Sequence, residues 1–351
     1  MKQIIGPVLA VVFAALYFYE LSQPDQSGEE STMVSANPTG QESNLSVGIS
    51  QDALESRRKA NGFFAGIESA RDYDQAQDWY QKAAEAGDAY SMNQLGVIYD
   101  NGLTGSANAQ EAFQWYKRAA LNGNVWGQFN LAMDYYLGNG TVKDYIEALN
   151  WFEKAAANNS DLAMNRLGVI YVDGVSVPVD YDKAVKYFNA AAAQNNSEAM
   201  NNLGQMFYDG KGVPEDAAKA VEWYLKAAHN GYDKAQNNLA GCYYYAKGVK
   251  RSYVEALKWF RMAAAQDNAA AQNFLGYIYQ MGRGVLKSPR QAFSWYTKAA
   301  DNGHVTAQFN LGNLYEKGMG TPVNVAEAKR RYKIAASEGN QKALTRLLRL
   351  E

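Results

Sequence analysis

The sequence of 351 residues contains one cysteine, Cys242, and two histidines, His229 and His304. One thiol excludes an intramolecular disulfide framework and any zinc site built from several cysteines. Two histidines leave little material for a histidine metal centre or for a nucleophile with its base and orienting group. No metal, no cofactor and no catalytic residue are therefore expected, and the protein is read as not an enzyme. Excess charge is missing as well, with 34 basic residues against 36 acidic ones. Without a positive field to hold a phosphate backbone, nucleic acid is not expected as a partner. What the chain does have is 47% hydrophobic residues, 30 glycines and 25 tyrosines. That composition excludes a mostly disordered protein.

Lys2 precedes an uncharged stretch from Gln3 to Tyr19, closed by Glu20. Seventeen helical residues reach about 25 Å, the lower edge of a membrane span. A cleaved signal peptide and a retained signal-anchor compete for this stretch. Cleavage needs small residues just after the apolar run, but Tyr17, Phe18 and Tyr19 stand there. A retained anchor over 1–21 is favoured, with its aromatic residues at the membrane interface. Lys2 and the terminal amine place the N-terminus in the cytoplasm by the positive-inside tendency. The expected location is then a single pass through an inner membrane, with the bulk of the chain in the periplasm. Residues 22–51, mostly rich in Ser, Gln, Gly and Glu, read as a flexible linker.

From 52 onward the sequence repeats. Pairs of alanines recur every 36 residues, from Ala83-Ala84 to Ala335-Ala336, and six of the seven tryptophans share the position four residues before the pair. A leucine ladder of the same period runs Leu95, Leu131, Leu167, Leu203, Leu239, Leu275, Leu311, Leu347, with Tyr or Phe four residues beyond all but the last. Leucine and aromatic at i, i+4 share one face of a first helix. Small residues such as Gly96 and Ala132 beside the leucines let a neighbouring helix approach. A G-x-G turn follows, as in Gly210-Lys211-Gly212. The second helix opens on Asp72, Asn108, Asp144, Asp180, Asp216, Ser252, Ser288 or Asn324, all capping residues. A Glu or Gln three residues on, as at Gln75 and Glu147, predicts a capping box. These helices should end at left-handed Gly or Asn residues such as Gly87 and Asn159, with Asp267 as the exception. Hairpins of this kind cannot shield their apolar faces alone, so the product is an all-α stack, an α-solenoid over 52–351 of about eight helix pairs. Its first unit is degenerate, with Lys59 in the leucine slot, and 340–351 reads as a closing helix.

A-x-x-x-L-G-x-x-Y, a G-x-G turn and A-x-x-W-Y-x-x-A-A-x-x-G in 36 residues resemble the Sel1-like repeat, a relative of the tetratricopeptide repeat. Ala163 to Tyr171, Gly210 to Gly212 and Ala292 to Gly303 show the pattern. The resemblance implies a superhelical scaffold that binds a partner protein or peptide, often in exported or membrane-associated complexes. Some exported members are cysteine-rich and have been linked to β-lactam binding or hydrolysis. With Cys242 alone, this chain departs from them, and an exported cell-wall or β-lactam protein is the alternative reading.

By resemblance to tetratricopeptide grooves, contacts should come from the concave side of the first helices. There Asn165, Asn201, Asn237 and Asn273 recur every 36 residues as a polar stripe able to pair with a peptide backbone. Tyr136, Tyr208, Tyr244, Tyr245 and Tyr277 supply wide contact area at low entropy cost. An equal alternative is that the asparagines bond neighbouring backbone and serve structure alone. Cys242 reads as a buried core thiol, the two histidines as exposed helix-end residues, and the tryptophan ladder as core.

Overall fold

A computed structural model describes residues 49–67 and 70–350. The anchor expected over 1–21, and nearly all of the linker, lie outside the described residues. Among the described residues no helix is long and apolar enough to cross a membrane. Seventeen α-helices are described, in two compact blocks. Residues 49–196 hold α1 (Gln51–Ala65), α2 (Tyr73–Glu85), α3 (Ala89–Asn101), α4 (Ala109–Leu121), α5 (Val125–Leu137), α6 (Tyr145–Ala157), α7 (Asp161–Asp173) and α8 (Tyr181–Ala193). Residues 197–350 hold α9 (Ser197–Asp209), α10 (Ala217–His229), α11 (Asp233–Tyr245), α12 (Tyr253–Ala264), α13 (Ala269–Met281), α14 (Pro289–Asp301), α15 (Val305–Lys317), α16 (Val325–Ser337) and α17 (Gln341–Leu350). Within each block the helices pack as consecutive hairpins, and α17 closes the second block against α16. The architecture is the all-α solenoid that the period implies. Helix α1 starts at Gln51, capped by the Ser50 hydroxyl, so the repeat region reaches one residue into the expected linker.

The start of every second helix is set by its cap. The Asp72, Asn108, Asp144, Asp180, Asp216, Ser252, Ser288 and Asn324 side chains each accept from the backbone N–H three residues on, at 2.9–3.3 Å. The expected return bond of a capping box is not what holds the cap's own N–H. In each hairpin that N–H donates to the carbonyl nine residues upstream, as Asp144 does to Tyr135 at 2.9 Å and Asn324 to Tyr315 at 2.9 Å. A backbone bond across the turn thus takes the donor that a glutamate would otherwise satisfy. At the other end Asp267 is no exception: its φ of 61° matches the left-handed residues at Asn159 and Asn195.

Packing follows the ladders. The leucines from Leu95 to Leu311 are fully buried. Where a glycine stands beside the leucine, as at 96, 168, 204, 276 and 312, it faces an aromatic of the second helix. A methyl on Gly204 would lie 2.6 Å from the Tyr224 ring, and one on Gly276 2.6 Å from the Tyr296 ring. These rings and leucines are fully or almost fully buried and remove apolar area from water in every hairpin. The tryptophans are half core, half shield. Trp115, Trp151 and Trp259 are buried, while a cation three residues on covers most rings: Lys82 over Trp79 at 4.1 Å, Arg118 over Trp115 at 4.7 Å, Lys154 over Trp151 at 3.7 Å, Lys226 over Trp223 at 3.9 Å. Lys59, as the end-unit reading expects, is exposed, paired with Glu55 at 2.7 Å.

Candidate functional site

The asparagine stripe turns out to be built into the stack. Asn165, Asn201 and Asn237 are buried, and Asn273 is half-buried. In the second block the Asn238 amide donates to the Asn201 carbonyl oxygen at 2.9 Å, and the Asn310 amide to that of Asn273 at 3.1 Å. In the first block Asn130 donates to Asn93 at 3.0 Å. Each rung joins first helices of successive repeats, 37 residues apart. This geometry favours the structural alternative for Asn201 and Asn273, with side chains rather than backbone as partners. Asn201→Ala leaves the buried Asn238 amide without its acceptor, and we expect a loss of about 1–3 kcal/mol in urea unfolding. Replacing both Asn201 and Asn238 by leucine should cost less than the single change does.

The pattern is broken at several rung positions, Gln94 and Arg166 among them, and at one of these the aromatic residues gather. Phe274 on α13 occupies the place that Asn238 and Asn310 hold in their repeats. Its ring stacks on Phe260 at 4.5 Å and meets Tyr244 at 4.9 Å, Tyr277 at 5.6 Å and Tyr245 at 6.0 Å. Tyr244 also lies edge-on to Tyr253 at 5.2 Å. Tyr244 is only 3% exposed, which corrects its expected role as a surface contact: Phe274 and its neighbours enclose the ring. Its hydroxyl has no hydrogen-bond partner. Tyr208, Tyr245 and Tyr277 remain half-buried. Burial, ahead of neighbouring groups, pushes the Tyr244, Tyr245 and Tyr208 phenols far above the usual range, so all three stay neutral donors at physiological pH. Exposed Arg283, on the turn after α13, lies among the Tyr244, Tyr253 and Tyr277 phenols; Tyr244 contributes most to the rise in its basicity. Asn201, Tyr208, Asn237, Tyr244, Tyr245, Asn273 and Tyr277 belong to this block. Tyr136 and Asn165 belong to the other, where half-buried Tyr136 packs edge-on to Tyr145 at 5.3 Å.

Chemistry-bearing groups elsewhere are accounted for by structure. Cys242 is fully buried, and burial raises its thiol to about 12. His304 caps α15: its Nδ1 accepts from the Ala307 N–H at 3.2 Å, a role beyond the exposed helix-end reading. His229 is exposed and lies edge-on to Trp259 at 5.4 Å. Among the described residues no group of three or more His, Cys, Asp or Glu is placed to hold a metal ion.

Sequence reading passed over Asp134. It is fully buried on α5, in a repeat column otherwise filled by Ile98, Ile170, Met206, Cys242, Ile278 and Leu314. Asn139 donates to Asp134 at 3.3 Å and to Asp100 at 3.1 Å, while Asp134 Oδ2 and the Tyr116 hydroxyl have no partner. Burial, then the Asp100 charge, raises the Asp134 carboxyl to about 8. The signal was available: one acid in a column of aliphatic residues.

The chain matches the Sel1 repeat model eight times in succession, over residues 61–88, 89–124, 127–160, 161–196, 197–232, 233–268, 269–304 and 305–340. No curated protein matches it. Among the solved structures that share the fold are two crystal structures. One is c5321, described as a protective antigen of uropathogenic Escherichia coli, at 35% identity over 84% of this chain, TM-score 0.67. This chain covers 63% of that protein's length. The other is a Sel1 repeat protein from Oxalobacter formigenes, at 31% identity over 85% of this chain and 90% of that one, TM-score 0.64. The hairpins, their caps and their buried ladders thus place this chain in the Sel1 repeat family.

Proposed function

We propose that the protein is a non-catalytic scaffold that binds a partner protein or peptide at the tyrosine cluster of α11 and α13. The observation that carries this is the aromatic cluster around Phe274, in which half-buried Tyr245 and Tyr277 stand beside exposed Arg283. Aromatic surface with one arginine is the composition of interface hot spots. Residues 3–19 hold the scaffold at a bacterial inner membrane, with the repeats in the periplasm.

Photo-crosslinkers at positions 245 and 277 test the site in cells. The same captured species is expected from both, none from exposed Lys258, and Tyr277→Ala should weaken its binding about 10-fold or more. Equal capture from Lys258, or capture insensitive to Tyr277→Ala and Arg283→Glu, overturns the site. Protease added to spheroplasts should digest the repeats; protection would overturn the periplasmic placement. The purified chain should not hydrolyse nitrocefin above the buffer rate, and turnover would restore the β-lactam alternative.

A further inference from the structure

Two neighbouring turns of this chain are basic. Residues 246–254 (AKGVKRSYV) carry Lys247, Lys250 and Arg251; residues 281–291 (MGRGVLKSPRQ) carry Arg283, Lys287 and Arg290. Neither stretch contains an acid. The corresponding turns elsewhere differ: 174–182 has two aspartates and no cation, 210–218 balances Lys211 against Glu215 and Asp216, and 318–326 has no charge. Both basic turns belong to the block 197–350. They also touch, because a methyl on Gly284 would lie 2.5 Å from the Tyr253 Cβ and 3.6 Å from Leu257 Cδ1. Six cations thus share one edge of this block.

Two further properties define what fits that edge. Lys247, Lys250, Arg251, Lys287 and Arg290 are all exposed, and none joins an ion pair. Aliphatic side chains stand out among them: Leu286 is 91% exposed, Val254 74% and Met281 48%. Unpaired cations attract any polyanion. Exposed leucine and valine select among polyanions, because single-stranded nucleic acid is held by aromatic stacking and duplexes by hydrogen bonds to phosphates and base edges. Cations at headgroup level with aliphatic tips reaching the acyl boundary are the pattern of an interfacial membrane contact.

We propose that this edge seats the block 197–350 on a bilayer containing anionic lipid, with Leu286 and Val254 entering the headgroup region. The contact is separate from the apolar stretch 3–19: that stretch acts on any bilayer, whereas this edge needs anionic headgroups. It leaves the tyrosine cluster beside Arg283 close to the membrane.

The test uses the full chain carrying Leu286→Cys labelled with nitrobenzoxadiazole. Buried Cys242 does not compete for the label. With phosphatidylcholine vesicles containing phosphatidylglycerol, emission should rise and shift to the blue; with phosphatidylcholine alone it should not, even where the chain is tethered. Lys250→Glu with Arg251→Glu, Lys287→Glu and Arg290→Glu should abolish the anionic response, lowering the partition constant at least about 100-fold. The circular-dichroism melt of that variant should match the parent, since these groups are exposed and unpaired. An equal response on both vesicle types overturns the proposal, as does no response on either. A response to soluble polyglutamate or single-stranded DNA that exceeds the response to anionic vesicles overturns it in favour of an acidic protein or a nucleic acid.

Discussion

Replacing Asp134 by isoleucine should raise the melting temperature of the protein, and by more at pH 8 than at pH 5. Asp134 is fully buried, and its acid form is favoured until about pH 8, against 3.8 for an ordinary aspartate. Desolvation is the main cause; the neighbouring Asp100 charge adds to it, and the Asn139 amide opposes it. Asp100, Tyr116 and Asn139 are the polar groups facing this carboxyl, and no cation is among them. The folded state therefore binds a proton that the unfolded chain releases near pH 4. Stability from this group is complete below that pH and is lost as pH rises through 8, at about 1.4 kcal/mol per unit. Between pH 5 and 8 the loss is of order 2–4 kcal/mol. Isoleucine, the residue of this column in three other repeats, removes the titration and fills the site with apolar volume. Thermal melts followed by circular dichroism at pH 5, 6.5 and 8 check this. A melting temperature for the variant that tracks the parent's pH dependence would contradict the assignment, and Asp134→Asn should flatten the same dependence without adding apolar volume.

Gly248→Ala should destabilise the second block by about 3 kcal/mol or more, whereas Gly231→Ala should cost only about 1 kcal/mol. Both glycines are left-handed, at φ 71° and 91°. A side chain at either pays the steric cost of that conformation, about 1 kcal/mol. At Gly231 the added methyl meets open space. At Gly248 it overlaps the carbonyl of Ala217, the first residue of α10 in the preceding repeat. Backbone cannot rotate aside as a side chain can, so the turn or the helix must move. Gly140 stands in the same relation to Ala109, and Gly320 to Pro289. The second glycine of the G-x-G turn is thus where one hairpin lands on the next. Equal urea midpoints for the two alanine variants would refute the distinction.

Much of the fold was legible because the determinants are local. Caps such as Asp144 and Ser288 lie within four residues of the donors they accept from, and a period of 36 fixes which residues share a face. The closing helix and the exposed Lys59 follow from the same frame. What the period does not reveal is which residue a recurring side chain meets. Asn201 pairs with a residue 37 positions on, one place outside its own column, so the stripe looks free when columns are read singly. Tyr244 looked equivalent to Tyr208, yet Phe274 in the following repeat makes one buried and leaves the other half-exposed. The signals that mattered were departures from the repeat: Phe274 where Asn238 and Asn310 stand in the adjacent repeats, Asp134 among apolar residues, and turns 246–254 and 281–291 with cations and no acid.

Near-identical hairpins made in series invite mistaken docking, since any one resembles the proper neighbour of any other. The amide rungs at 93–130, 201–238 and 273–310 give some junctions a distinct identity. Transplanting 269–304 into the place of 305–340 would set the Phe274 ring against the Asn273 amide of the original repeat, leaving a polar group facing hydrocarbon. Shuffled arrays of these hairpins should therefore fold less well than ordered ones of equal composition, and the sequence of junctions acts as a proofreading code for the order of the stack.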